Sequence, residues 1–144
     1  MLENIFSPIS DWGLLILRVA MGIIFIFHGW PKLNPNSAIK GTAGFSAGLK
    51  QMGVPLPMFF AWVVALLETV GAVLLILGLG TRVLAAGFAI DMLVAIVAAR
   101  RPMGAKFSSM EGIGWEFEFS LMCQAVALLF TGAGSIGLDR LIGL

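Results

Sequence analysis

Trp12-Gly13-Leu14-Leu15-Ile16-Leu17-Arg18-Val19-Ala20-Met21-Gly22-Ile23-Ile24-Phe25-Ile26-Phe27-His28-Gly29-Trp30 is a nearly unbroken apolar segment bounded by tryptophan. Apart from Arg18 and His28, everything between the two tryptophans is apolar or glycine. At about 1.5 Å per residue, a helix over 12–29 approaches the roughly 30 Å of a bilayer's hydrocarbon core. The tryptophans then fall at the two interfaces, where an amphipathic ring is favoured. Such a segment reads as a membrane span carrying a guanidinium. A charge at mid-membrane costs roughly 2.5 to 3.5 kcal/mol on insertion scales, so Arg18 is expected to face a protein interior.

Further spans are expected at about 58–79, 83–99 and 113–131. The second starts after Pro55 and Pro57, and the turn Gly78-Leu79-Gly80-Thr81-Arg82 joins it to the third as an antiparallel hairpin. Residues 31–57 are too polar to cross. Ile39, Phe45, Leu49 and Met52 nevertheless recur there at helical spacing, so a short interfacial or re-entrant helix is expected, the alternative being a plain ordered loop. The sequence therefore predicts an all-α integral membrane four-helix bundle, a single domain over 1–144.

Composition agrees. Of 144 residues, 59% are hydrophobic and 12% charged, with a mean hydropathy of +0.99, against about 25% charged residues in soluble domains. The lipid bilayer is the first partner, and the net charge of +1 without a basic cluster excludes nucleic acid. The lone Cys123 excludes an internal disulfide or dithiol couple. His28 is the only histidine, so no multi-histidine metal site is expected. No basic region precedes the first span, which is read as retained rather than as a signal peptide.

The loops set an expected orientation. Lys32, Lys40, Lys50, Arg100, Arg101 and Lys106 lie on one side, and Arg82 and Arg140 on the other. The positive-inside rule puts the first group in the cytoplasm, with both termini outside a bacterial-type inner membrane.

Helical spacing places Arg18, Met21, Gly22, Phe25, His28, Gly29 and Lys32 on one stripe. Gly22 and Gly29 would let a neighbouring helix or a flat ligand approach the backbone. Glu68 shares a stripe with Ala61, Ala65, Gly71 and Ala72, and Asp91 follows Gly87 by one turn. Counting depth along each span puts Glu68 and Asp91 near the midplane, within reach of Arg18. Two acids and one arginine leave one negative charge over, so one carboxyl of the pair is expected to hold a proton. On the fourth span Glu116, Ser120, Cys123 and Ala127 share a face, with Glu118 nearly opposite. Glu116 is thus expected beside His28 and Lys32 in a second, shallower cluster. An ion-paired clamp without chemistry is the alternative for Arg18, Glu68 and Asp91.

Three motifs carry a resemblance. They are Arg18-x3-Gly22-x2-Phe25-x2-His28-Gly29-x2-Lys32-Leu33, Glu68-x2-Gly71 leading to Gly78-Leu79-x-Thr81-Arg82, and Gly114-Trp115-Glu116. The chain resembles the DoxX family of small four-span membrane proteins from about Leu14 to Leu141. The family's C-terminal signature is only partly kept in Gly132-Ala133-Gly134-Ser135-Ile136-Gly137-Leu138-Asp139, where its basic and aromatic positions are replaced. The resemblance implies the fold more closely than the reaction. One member type is similar to the small subunit of thiosulfate:quinone oxidoreductase. Others are associated with oxidative stress and with quinone or nitroaromatic resistance, and distant relatives act as cargo receptors or maturation factors.

The leading expectation is a membrane subunit of an oxidoreductase system that binds a quinone-like molecule between its helices. Arg18, His28 and Lys32 would bind it, and Glu68, Asp91 and Glu116 would relay protons where water is scarce. No flavin, haem or iron–sulfur pattern is present and no covalently bound cofactor is expected, so electrons would come from a soluble or membrane protein partner. Self-association is open. The rival readings are a non-enzymatic assembly protein that recruits a partner through its loops, and a small proton-driven transporter.

Overall fold

The computed structural model describes residues 2–109 and 114–143, with side chains from Ile9 onward, and every regular element among them is helical. Four long helices form a membrane bundle: α1 (Leu2–Leu33), α3 (Pro57–Leu77), α4 (Thr81–Arg100) and α5 (Glu116–Thr131). Two short ones flank it, α2 (Gly41–Gln51) after α1 and α6 (Asp139–Ile142) near the C-terminus. The apolar part of α1 is Ile9–Leu33, and it, α3 and α4 are each long and apolar enough to cross a membrane. α5 has 16 residues, about 24 Å of helix, which is short for a roughly 30 Å core. The expected start of that span at Ile113 lies outside the described residues.

Local chemistry sets the boundaries. Pro57 stands in the first turn of α3, where its missing N–H costs nothing. α3 ends at Gly78 and α4 begins after Gly80, with φ of 69° and 67°, left-handed values that glycine adopts without strain. The helix after the first span is present as α2, whose eleven residues are too few to cross. Its buried Ser46 and Leu49 face the bundle, and it packs mainly on the start of α3. Both ends of the first span differ from the sequence reading: α1 begins at Leu2 rather than near Trp12, and Trp30-Pro31 does not close it, since it runs on to Leu33. A proline this close to a helix end removes a single hydrogen bond.

The core of the bundle is Met21 and Phe25 from α1, Ala72 and Leu75 from α3, Ala85, Phe88 and Met92 from α4, and Leu121, Ala125 and Leu128 from α5. Phe25 and Phe88 stack at its centre with ring centroids 4.1 Å apart. Ile16, Phe27, Val83 and Phe130 point outward, each more than 65% exposed, as suits a surface solvated by acyl chains. α1 and α3 cross closely because two glycines permit it. A Cβ on Gly22 would lie 2.3 Å from Ile76 Cγ1 and 3.0 Å from the Ala72 carbonyl oxygen, and one on Gly29 would lie 2.7 Å from Glu68 Cβ.

Two helices are locally widened. Leu67–Gly71 in α3 and Ala95–Arg100 in α4 are π-helical turns. Such turns release the regular ladder and re-aim side chains, and they are frequent at functional sites. Glu68 lies in the first and Arg100 in the second.

Candidate functional site

α1 and α3 run antiparallel, so the pairs Gly22 with Ala72 and Gly29 with Glu68 fix which residues are level. By that register Glu68 lies level with Gly29 and Lys32, while Arg18 is level with the end of α3. The expected triad of Arg18, Glu68 and Asp91 is therefore not formed. Arg18 is fully buried at the other end of the bundle and donates from Nη1 to the carbonyls of Ile76 at 3.1 Å and Leu75 at 3.5 Å. Its guanidinium lies against Gly78, where a Cβ would be 2.2 Å from Nη1.

Asp139 completes this corner. Its Oδ1 accepts from the Gly80 amide at 2.5 Å and its Oδ2 from the Thr81 amide at 3.0 Å, so it caps α4 from a distant part of the chain. The Asp139 and Leu138 amides in turn donate to the carbonyls of Gly78 and Leu77, at 2.8 and 3.2 Å. Burial alone would raise the Asp139 pKa. The Thr81 and Gly80 hydrogen bonds and the charge of Arg18 outweigh it and hold the group below its ordinary value of 3.8. Arg82 caps α5, donating from Nη1 to the Leu129 and Phe130 carbonyls at 2.8 Å each.

The opposite end is built differently. Phe25, His28 and Lys32 of α1, Glu68 of α3, Met92, Ala95 and Arg100 of α4, and Phe117, Glu118 and Leu121 of α5 enclose a cavity of about 180 Å3. Lys32 forms an ion pair with the buried Glu68, and its Nζ also sits 4.8 Å above the Phe45 ring of α2. Arg100 grips Glu118 through Nε and Nη2, both 2.6 Å from Oε1, and leaves Glu118 Oε2 buried without a partner. His28 stands at the exposed edge, its ring 5.8 Å from that of Phe117. The Asp91 carboxyl adjoins Glu68 from α4, with Oδ2 buried and unpartnered. Asp91 also lines a second, almost wholly apolar hollow of about 520 Å3 between α3 and α4, walled by Leu49, Phe60, Val64, Leu67, Ile90 and Val94.

Of the expected site residues, His28, Lys32, Glu68 and Asp91 are brought together, whereas Arg18 and Glu116 are not. Glu116 is exposed and Glu118 is buried, the reverse of the sequence reading. The buried face of α5 is set by Leu121, Ala125 and Leu128, and Glu118 precedes Leu121 by three positions. The stripe through Glu116, Ser120 and Cys123 is on the outside. Arg100 and Glu118 were thus missed as a pair. The signal for them was the spacing of large apolar residues on α5 rather than of small ones.

A bundle of membrane helices holding a polar, ion-paired cavity at one end defines the class. The match of residues 13–101 to the family model DoxX assigns it: the chain belongs to the DoxX family. It is 33% identical over 130 residues to the Bacillus subtilis protein named "Putative oxidoreductase CatD", covering 90% of this chain and 87% of that one. To the Escherichia coli "Inner membrane protein YphA" it is 34% identical over 134 residues, covering 88% of each. To "Inner membrane protein YqjF" of the same organism it is 30% identical over 140 residues, covering 94% and 96%. No solved structure matches the chain.

Proposed function

We propose that this protein is the membrane subunit of an oxidoreductase system and exchanges protons with a quinone-like ring drawn from the bilayer. The observation that carries the reading is the adjoining pair Glu68 and Asp91. Glu68 faces the polar cavity, and Asp91 faces the apolar hollow. A proton can therefore pass from an aqueous edge to a dry one across two neighbouring carboxyls. Two-electron reduction of a quinone takes up two protons, so such a relay meets a chemical need at a place without water.

The residues present suit a ring with polar oxygens. Asp91 Oδ2 is buried without a partner just behind the wall of a space of drug-ligand size, and a turn of the carboxyl would bring it to a ligand oxygen. Charge counting supports one resident proton. Lys32 and Arg100 balance two of the three acids Glu68, Asp91 and Glu118, and a proton on the Glu68–Asp91 pair brings the cluster to neutrality. Electrons come from a protein partner, and the name of the Bacillus subtilis relative points the same way. The basic residues around the cavity end, Lys32, Lys40, Lys50, Arg100, Arg101 and Lys106, support an orientation with that end in the cytoplasm and both termini outside.

The test is purification in mild detergent, with extraction and mass spectrometry of retained aromatic redox molecules, wild type against Asp91→Asn. We expect wild type to retain such a molecule and Asp91→Asn to lose at least tenfold of it while remaining folded. Equal retention by both, or none by wild type, would overturn the reading.

A further inference from the structure

The end of the bundle away from the cavity carries a feature the proton relay does not use. Beside the α3–α4 turn, a cleft of about 450 Å3 is lined by Arg82, Arg140 and Asp139, by Thr131 and Ser135, and by the backbone of Gly132–Gly134. We propose that this cleft binds the phosphate of an anionic phospholipid, whose chains lie along the neighbouring outer faces of α4 and α5.

Three observations converge on it. The first is charge. Neither Arg82 nor Arg140 has a carboxylate within ion-pair distance among the described residues, whose two ion pairs are both at the cavity end. Two acids lie close by, and both are engaged. Asp139 turns both oxygens to the Gly80 and Thr81 amides and has Arg18 as its counter-charge, while Asp11 Oδ2 takes the hydroxyl of Ser135. Among the described residues the corner thus holds three cations, Arg18, Arg82 and Arg140, against two acids, with the uncompensated charge in the cleft.

The second is geometry. Arg82 spends Nη1 on the end of α5, which holds the planar fork in place and leaves Nε and Nη2 over Gly132. That glycine has φ 75° and ψ −161°, a conformation reserved for glycine, and a Cβ there would lie 3.3 Å from both nitrogens. The bare backbone leaves the donating edge of the fork uncovered, and a fixed guanidinium edge suits phosphate oxygens. The third is position. Val83, beside Arg82, is 79% exposed and Phe130, beside Thr131, is 74% exposed. Both are in the lipid-facing surface of spans, so the cleft opens where acyl chains and headgroups meet. A soluble anion would gain nothing from those two side chains.

The protein in nanodiscs containing equal phosphatidylglycerol and phosphatidylcholine is extracted into mild detergent, and retained lipid is read by native mass spectrometry. Wild type is expected to hold phosphatidylglycerol over phosphatidylcholine by at least fivefold. Arg140→Gln, at an exposed residue outside the bundle core, should reduce that preference at least threefold with no change in thermal midpoint, and Arg82→Lys should reduce it while keeping the charge. Equal retention of the two lipids, or a preference unchanged in Arg140→Gln, overturns the proposal. So does loss of the bound lipid on adding millimolar inorganic phosphate at constant ionic strength, which would assign the cleft to a free anion.

Discussion

The two ends of the bundle use the same residue types to opposite purposes. At the α3–α4 turn, Arg18, Arg82 and Asp139 spend their charge on the carbonyls and amides of helix termini. At the other end, Lys32, Arg100, Glu68 and Glu118 spend theirs on each other around a void. A side chain bound to main chain can change partner only if a helix moves, so the first end is a clamp. Side chains bound to side chains can exchange a partner for a ligand or a proton, and the second end is free to do chemistry. In a membrane protein the partner of a buried charge therefore tells more than its depth.

Four experiments test that contrast. The largest effect is expected at the clamp. Arg18→Gln leaves the Leu75 and Ile76 carbonyls and Asp139 without their cation in a fully buried place, and should cost roughly 3 to 5 kcal/mol of stability. Reversible unfolding in mixed micelles reads it, and a loss below about 1 kcal/mol, still within ordinary mutational scatter, would show that the corner is not a clamp.

Gly29→Ala comes next. Its Cβ would meet Glu68 Cβ at 2.7 Å and the Glu68 carbonyl carbon at 2.8 Å, so α3 must shift away from α1 at the level of the ion pair. Overpacking of this kind costs about 1 to 3 kcal/mol, and it should also abolish ligand retention, because Glu68 moves with the backbone. Unchanged retention would mean that the Lys32–Glu68 geometry is not needed.

Asp139 gives an acid-side signature. Its folded pKa is depressed, so its contribution is complete above the unfolded value of about 4 and is lost as pH falls through the lower folded value. The thermal midpoint of wild type should fall more steeply than that of Asp139→Asn as the pH drops below about 4. Parallel curves would exclude the cap as the source. The smallest effect separates two glutamates one turn-face apart: Glu118→Gln should lower ligand retention severalfold, whereas Glu116→Gln, at an exposed position, should leave retention and stability unchanged within about 0.5 kcal/mol. A reversed order would restore the face first read from the sequence.

The long elements were legible because hydropathy alone specifies them. Spans read as 12–29, 58–79 and 83–99 are found as Ile9–Leu33, Pro57–Leu77 and Thr81–Arg100, and the short helix around Phe45 and Leu49 is present. The site was legible residue by residue but not as a constellation. Depth counted from assumed span ends put Arg18 within side-chain reach of Glu68 and Asp91. The register is set instead by Gly22 and Gly29 against α3, and an α1 that continues through Pro31 brings Lys32 to Glu68. On α5, small and polar residues suggested an inner face, but bulky Leu121 and Leu128 fill the interior, and Glu118 goes in with them. The caps made by Arg82 and Asp139 join residues 47 to 59 positions apart, a pairing that no periodicity reveals.

The π turn at Leu67–Gly71 has a consequence for how such a chain can diverge. A widened turn is in effect one residue too many for a regular ladder. Deleting a single residue there would let the ladder heal with its two flanks nearly unrotated, whereas the same deletion in a regular α-helix turns one flank about 100° against the other. Loss of the Glu68 codon itself is thus a route by which a descendant could discard the acid of its polar chamber while keeping the hydrophobic pattern that inserts it.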